Sequence, residues 1–187
     1  MNVFFVDRNP YRAAEMLVDK HVVKMILETA QILSTAKRMT LGNEIIALST
    51  KGRKVKRWVM NDLVLDGKLY SATHVNHPSV VWARSHPEHY YWLLEHFVAL
   101  LDEYTYRYEK QHKCSSLYNY LRINPLMGTS AMMHQSSDPP CAMPDEYKIS
   151  KDAVENYREY YSKGKAHLHK WTKRPIPNWL RDDPELF

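Results

Sequence analysis

The 187-residue chain carries 26 Lys and Arg against 21 Asp and Glu, a formal charge of +5, and has only 5 glycines. That length suits one domain with its own core. The lack of a Gly-rich phosphate loop argues against a P-loop kinase or a dinucleotide enzyme, and the basic excess permits a nucleic-acid partner.

The amino terminus, Met-Asn-Val-Phe-Phe-Val-Asp, is too short and too soon charged to read as a secretory signal, and no stretch approaches the ~20 apolar residues of a membrane span. Cys114 and Cys141 form no zinc-type pattern, so reduced thiols and a cytoplasmic location are expected. Residues 2–6, Asn-Val-Phe-Phe-Val, read as extended and buried. Asp7-Arg8-Asn9-Pro10 then starts a helix to about Leu17, with Pro10 in its first turn. Asp7 and Asp19 suit capping more than chemistry.

The stretch from Asp19 onward organises the rest. Read at helical period to about residue 37, Val22, Val23, Met25, Ile26, Leu27, Ala30, Ile32 and Leu33 cover most of the cylinder. One narrow stripe is polar: His21, Lys24, Glu28, Gln31 and Thr35, spaced three or four apart. A surface helix shows the opposite proportions. The helix is therefore expected to be largely buried, its polar face either a wall of an active site led by Glu28 or a buried ion-pair network.

After Arg38 the chain turns polar. Five of the eight residues Lys51 to Trp58 are Lys or Arg, so this run, with Lys54 and Arg57, reads either as a solvated loop or as a phosphate-contacting arm. Asp66-Gly67-Lys68 reads as a turn. His74, His77, His86 and His89 follow within sixteen residues. Pro78 and Pro87 place His77 and His86 at helix entrances, where anions are attracted. Arg84 is placed to clamp a phosphate. The histidine spacing matches no known metal motif, and no metal or other cofactor is expected.

Tyr90 to about His112 reads as a scaffold helix with Tyr91, Leu94, Val98, Leu101, Tyr104 and Tyr108 inward, and Glu88, Glu95, Asp102, Glu103 and Arg107 on its surface. The pattern breaks from Asn124 to Pro144, a loop long enough to be a lid or a binding arm. A last helix starts near Asp152. It carries Tyr157, Tyr160 and Tyr161 among Arg158, Lys163 and Lys165, so the tyrosines either stack on bases or pack on the core. The tail from His167 is basic, then proline-rich, anchored by its tryptophans.

These residues resemble the pyrimidine-dimer DNA glycosylase/AP lyase family of the phage endonuclease V type. His21 and Glu28, seven apart and following Asp19, are similar to that family's histidine and catalytic glutamate. Tyr157-Arg158-Glu159-Tyr160-Tyr161-Ser162-Lys163 is similar to its aromatic-basic segment, and Asn76-His77-Pro78, Trp82, His86-Pro87 and Tyr90 resemble a pattern in its bacterial relatives. The resemblance implies a compact helical protein that flips a nucleotide. Its terminal amine would attack the sugar C1′, and Glu28 would open the sugar and abstract a proton, tuned by His21 and Lys24. Residue 2 is Asn, which disfavours removal of the initiator Met, so Met1 or Lys24 are further candidates for the amine. Leu27 and Gln31 stand where the family has arginines beside its glutamate.

The expected fold is mainly α: a compact single-domain helical bundle with a short extended N-terminus and an irregular C-terminal tail. Residues 1–166 would form the catalytic domain and residues 167–187 a tail packed on it. The expected partner is duplex DNA with a flipped or modified base, bound by a monomer. Catalytic candidates are Glu28, His21 and Lys24. Binding candidates are Arg84, Gln31, His74, His77, Lys54, Arg57, Tyr157, Tyr160 and Tyr161. Two alternatives are a transferase joining an amine to an activated hydroxymethyl-pyrimidine, and a non-catalytic DNA-binding protein.

Overall fold

Cap chemistry sets where most helices begin. Asn9 Oδ1 accepts the Tyr11 and Arg12 amides ahead of α1 (Pro10–Met16), with Pro10 in the first turn. Leu17 and Val18 are extended and separate α1 from α2 (Asp19–Leu41), which runs four residues past the expected end. Asp62 caps α3 (Leu63–Lys68), so the expected Asp66-Gly67-Lys68 turn is the end of a short helix. His77 and His86 cap α4 (Pro78–Ser85) and α5 (Pro87–Tyr108), each ring Nδ1 accepting the backbone N–H two residues on. A 3₁₀ turn (Lys113–Leu117) and α6 (Tyr118–Arg122) follow. Asp152 caps α7 (Ala153–Glu159), which continues into a π-helical turn, Tyr160–Gly164. Within the tail, α8 spans Asn178–Arg181. This computed structural model describes residues 1–123 and 137–181. Most of the expected lid, and the last six residues of the tail, lie outside that range.

The fold is mainly α, as expected, with one small sheet among the described residues. The expected basic loop is part of that sheet: β1 (Asn43–Leu48) pairs antiparallel with β2 (Lys54–Val59), from Asn43↔Val59 to Leu48↔Lys54. The core lies where α2 and α5 cross α1 and α4. Met25, Ile26, Leu33, Leu93, Phe97 and Leu100 are fully buried there, each worth roughly 1.5–3 kcal/mol of transfer free energy.

Two expected faces need correction. On α5, Tyr91 is exposed, while Glu103 and Arg107, expected on the surface, are buried. Arg107 bonds Glu103 at 2.8 Å, Asp19 at 3.1 Å and the Leu17 and Glu15 carbonyls. Arg174 from the tail closes the network on Glu103. Burial pushes the Asp19 carboxyl up, but bonds from the Thr172 amide and hydroxyl and from Arg107 hold it below its usual value. Apolar position alone could not reveal these partners, which come from three distant segments. On α2, Val23 and Leu27 were assigned to the core, yet both are 41 % exposed. His21 and Thr35 are buried instead, so the open face is Lys24, Glu28 and Gln31 flanked by two aliphatics.

Past the middle of α2, polar side chains hold the neighbouring elements. Arg38 donates to the Tyr70, Trp58, Asp66 and Leu69 carbonyls and pairs with the Asp66 carboxylate. Buried Lys37 donates to the carbonyls of Tyr120, Leu121 and Ile123, at the C-terminal end of α6 where cations are favoured. No described helix is long and apolar enough to cross a membrane.

Candidate active site

The start of the chain is held against the middle of α2. Asn2 Oδ1 accepts the Val3 and Phe4 amides at 2.7 and 3.2 Å, and its Nδ2 donates to the Ala142 carbonyl at 2.9 Å. Phe4 adopts a left-handed backbone, φ +52°, which costs a bulky residue roughly 1–3 kcal/mol. Its ring is stacked on His21 at 4.2 Å and edges Tyr161, so packing sustains the bend. The result places the Asn2 backbone nitrogen 3.2 Å from Glu28 Oε2. Lys24 Nζ lies 3.1 Å from the other oxygen, and the Glu28 side chain is 17 % exposed. Both carboxylate oxygens are thus engaged, one by the Asn2 amide and one by an exposed cation.

A tight turn brings two histidines alongside. The His77 amide donates to the His74 carbonyl, His74 is left-handed, and Arg84 Nη1 holds the Val75 carbonyl at 2.6 Å. The Thr73 amide ties this turn to Thr35 of α2. Burial first, then the N-terminal and His74 charges, hold His77 below the usual imidazole value, while Glu28 raises it. His77, His74, Glu28 and the terminus therefore share one electrostatic neighbourhood. Arg84, expected to clamp phosphate, spends that donor on the turn that carries the histidines.

Glu28 also borders a cleft of about 740 Å³, a volume in the range of small-ligand pockets. Lys24, Leu27 and Gln31 line one wall, and Tyr70, Tyr104, Gln111, His112, Lys113 and Cys114 the other. The second wall escaped the sequence reading because residues 111–114 carry no motif. The Tyr70 hydroxyl, 3.5 Å from Cys114 Sγ, is pushed up to about 12 by that bond and by burial, so the rim stays uncharged there.

His21 lies beneath this surface rather than in it. Its Nδ1 is 2.8 Å from the Tyr161 hydroxyl, whose oxygen also accepts the Val18 amide. With the hydroxyl donating its hydrogen bond to Nδ1, a neutral ring carries its proton on Nε2. Burial, then the charges of Lys165, Lys24 and His167, push the imidazole down to about 3. His21 is neutral at pH 7, and Lys165 joins Lys24 in a positive field that the sequence reading did not assemble.

Tyr157 and Tyr161 were binding candidates, yet both are fully buried. Tyr157 donates to the Pro140 carbonyl, so neither ring has a face for a base. Tyr160 is half-buried, with Lys165 Nζ 4.7 Å above its ring. A Cβ on Gly164 would stand 2.6 Å from that ring, so only glycine lets the π turn close over it. Lys54 and Arg57 are exposed on β2, beyond the C-terminal end of α2 and away from Glu28. Among the described residues, no group of three His, Cys, Asp or Glu is placed to hold a metal.

A family model for pyrimidine dimer DNA glycosylase matches residues 1–116. The match contains the terminal turn, α2, the hairpin, α4 and α5, and stops before α7. No curated protein and no solved structure matches the chain.

Proposed function

The chain belongs to the pyrimidine dimer DNA glycosylase family, and on that premise we propose that it removes a damaged base from duplex DNA using its terminal amine and Glu28. The observation that carries this reading is the 3.2 Å approach of the Asn2 nitrogen to Glu28 Oε2. That nitrogen is the amide joining Met1 to Asn2, so the contact supports an amine at this end of the chain working beside a carboxylate at the mouth of a cleft.

In this mechanism the amine attacks C1′ of the damaged nucleotide's deoxyribose, and the C1′–N bond to the base breaks. Opening of the sugar ring leaves an iminium between the protein nitrogen and C1′. Glu28 then takes a proton from C2′, and the electron pair expels the 3′-phosphate. Water hydrolyses the iminium and frees the amine. Lys24, 3.1 Å from one carboxylate oxygen, orients Glu28 for its role as a base. Neutral His77 takes the proton the attacking amine loses and returns it to the sugar oxygen as the ring opens. The cleft beside Glu28 receives the displaced nucleotide, and Lys24 and Lys165 attract its phosphates. His21 acts through Phe4, holding the terminal turn in place, and is a positioning residue.

Borohydride reduction on a duplex carrying a pyrimidine dimer tests the reading. A covalent adduct whose DNA-linked peptide contains the chain's first residue is expected. An adduct on Lys24 would overturn the assignment of the amine. Absence of adduct and of strand scission, with DNA still bound, would overturn the chemistry.

A further inference from the structure

On the DNA reading above, we propose that the β1–β2 hairpin is a two-stranded ribbon that enters a groove of the duplex. Its root is fixed. Arg38 Nη1 donates to the Trp58 carbonyl at 2.9 Å, and Asn43 bonds Asn61 at 2.7 Å. A Cβ on Gly42 would stand 2.6 Å from the Arg38 carbonyl and 3.0 Å from that of Val59, so glycine lets the ribbon leave α2 at close range. Six paired positions extend from that root, about 20 Å of ribbon.

Beyond the root the ribbon stands in solvent. Paired residues share a face, so Ile46 lies beside Lys56 and Leu48 beside Lys54. Ile46 is 61 % and Leu48 69 % exposed. Two aliphatics left open on a ribbon face are a binding feature more than a folding one. Lys51 and Arg53 are exposed at the turn, and Arg57 lies on the opposite face with Ile45. The pairing of Lys56 with Glu44 at 2.7 Å is solvent-exposed and contributes little.

This chemistry fits DNA. The major groove is about 12 Å wide and admits a two-stranded ribbon, phosphates line both its edges, and thymine methyls offer apolar contact on its floor. The same lysines oppose strand addition from a second copy of the chain. The spacing also fits: the α2 axis from Glu28 to the end at Leu41 is about 20 Å long, about six base pairs of duplex. A ribbon at that distance holds the helix while Glu28 works on one nucleotide.

The test uses the full-length chain and a lesion-free, fluorescently labelled duplex, with its single strand as comparison, so that excision plays no part. The Ile46→Ser/Leu48→Ser and Lys54→Ala/Lys56→Ala pairs alter only exposed side chains. Each pair is expected to weaken duplex binding about tenfold and to leave single-strand binding nearly unchanged. The lysine pair also lowers the salt slope by about 2, whereas the serine pair leaves it unchanged. Equal losses on both DNA forms would reduce the ribbon to a backbone contact and overturn groove entry. So would unchanged binding, or a solution dimer dispersed by the serine pair. Loss of excision chemistry with ribbon-dependent binding intact would refute the proposed function and leave the ribbon standing.

Discussion

Protonation of His21 offers a quantitative test of how the terminal turn is held. The imidazole is 5 % exposed, stacked on Phe4 and bonded to Tyr161, and its value falls from 6.5 to about 3. Below pH 6.5 the unfolded chain binds a proton that the folded chain refuses, so stability falls as the pH drops and levels off only near 3. The slope is about 1.4 kcal/mol per pH unit for one such group. Buried His96, lowered to about 4, contributes a second slope of the same sign. Urea unfolding at pH 7, 6, 5 and 4.5 should therefore show a steep acid loss. In His21→Phe that loss should be shallower by about 1.4 kcal/mol per pH unit. The variant should be about 1 kcal/mol less stable at pH 7, since the Tyr161 hydroxyl loses its hydrogen-bond partner on His21. Parallel pH profiles for the two proteins would refute the placement of a neutral, buried imidazole under Phe4.

Other substitutions probe the remaining contacts. Arg107→Met leaves buried Asp19 without its cation and Glu103 with Arg174 alone and should cost about 3 kcal/mol in chemical denaturation; a loss under 1 kcal/mol would mean the network is not paired as described. Gly164→Ala drives a methyl into the Tyr160 ring and should cost about 1–3 kcal/mol, read by thermal unfolding; an unchanged melting temperature would contradict the closed π turn. Asn2→Ala removes three bonds from the terminal turn. Provided intact mass shows the same first residue, single-turnover excision should fall about tenfold or more with the melting temperature nearly unchanged. Full activity would release Asn2 from any positioning role.

What was legible in the sequence was mostly local. Pro10, Pro78 and Pro87 with their caps mark helix starts because capping bonds reach only two or three residues. The polar stripe through Lys24, Glu28 and Gln31 marked an open face for the same reason. The hairpin was missed because Lys54, Lys56 and Arg57 hide the alternation in β2, and its pairing with β1 crosses a turn with no Asn-Gly signal. The aromatic segment was misjudged at Tyr157 and Tyr161 because helical spacing fits a core face and a stacking face equally well. The Tyr161 hydroxyl settles its own case through Val18 and His21, some 140 residues away. Glu103 and Arg107 looked solvated because their partners, Asp19 and Arg174, lie far along the chain. The anchoring of Asn2 on Ala142 is likewise non-local.

The most direct measurement is borohydride trapping on a dimer-containing duplex with wild type and Glu28→Gln side by side, followed by mapping of the linked peptide. The account predicts a wild-type adduct on the N-terminal residue. For Glu28→Gln it predicts intact folding and DNA binding, with scission slowed by about 10²-fold or more. Full scission by Glu28→Gln, or an adduct mapped away from the terminus, would contradict it.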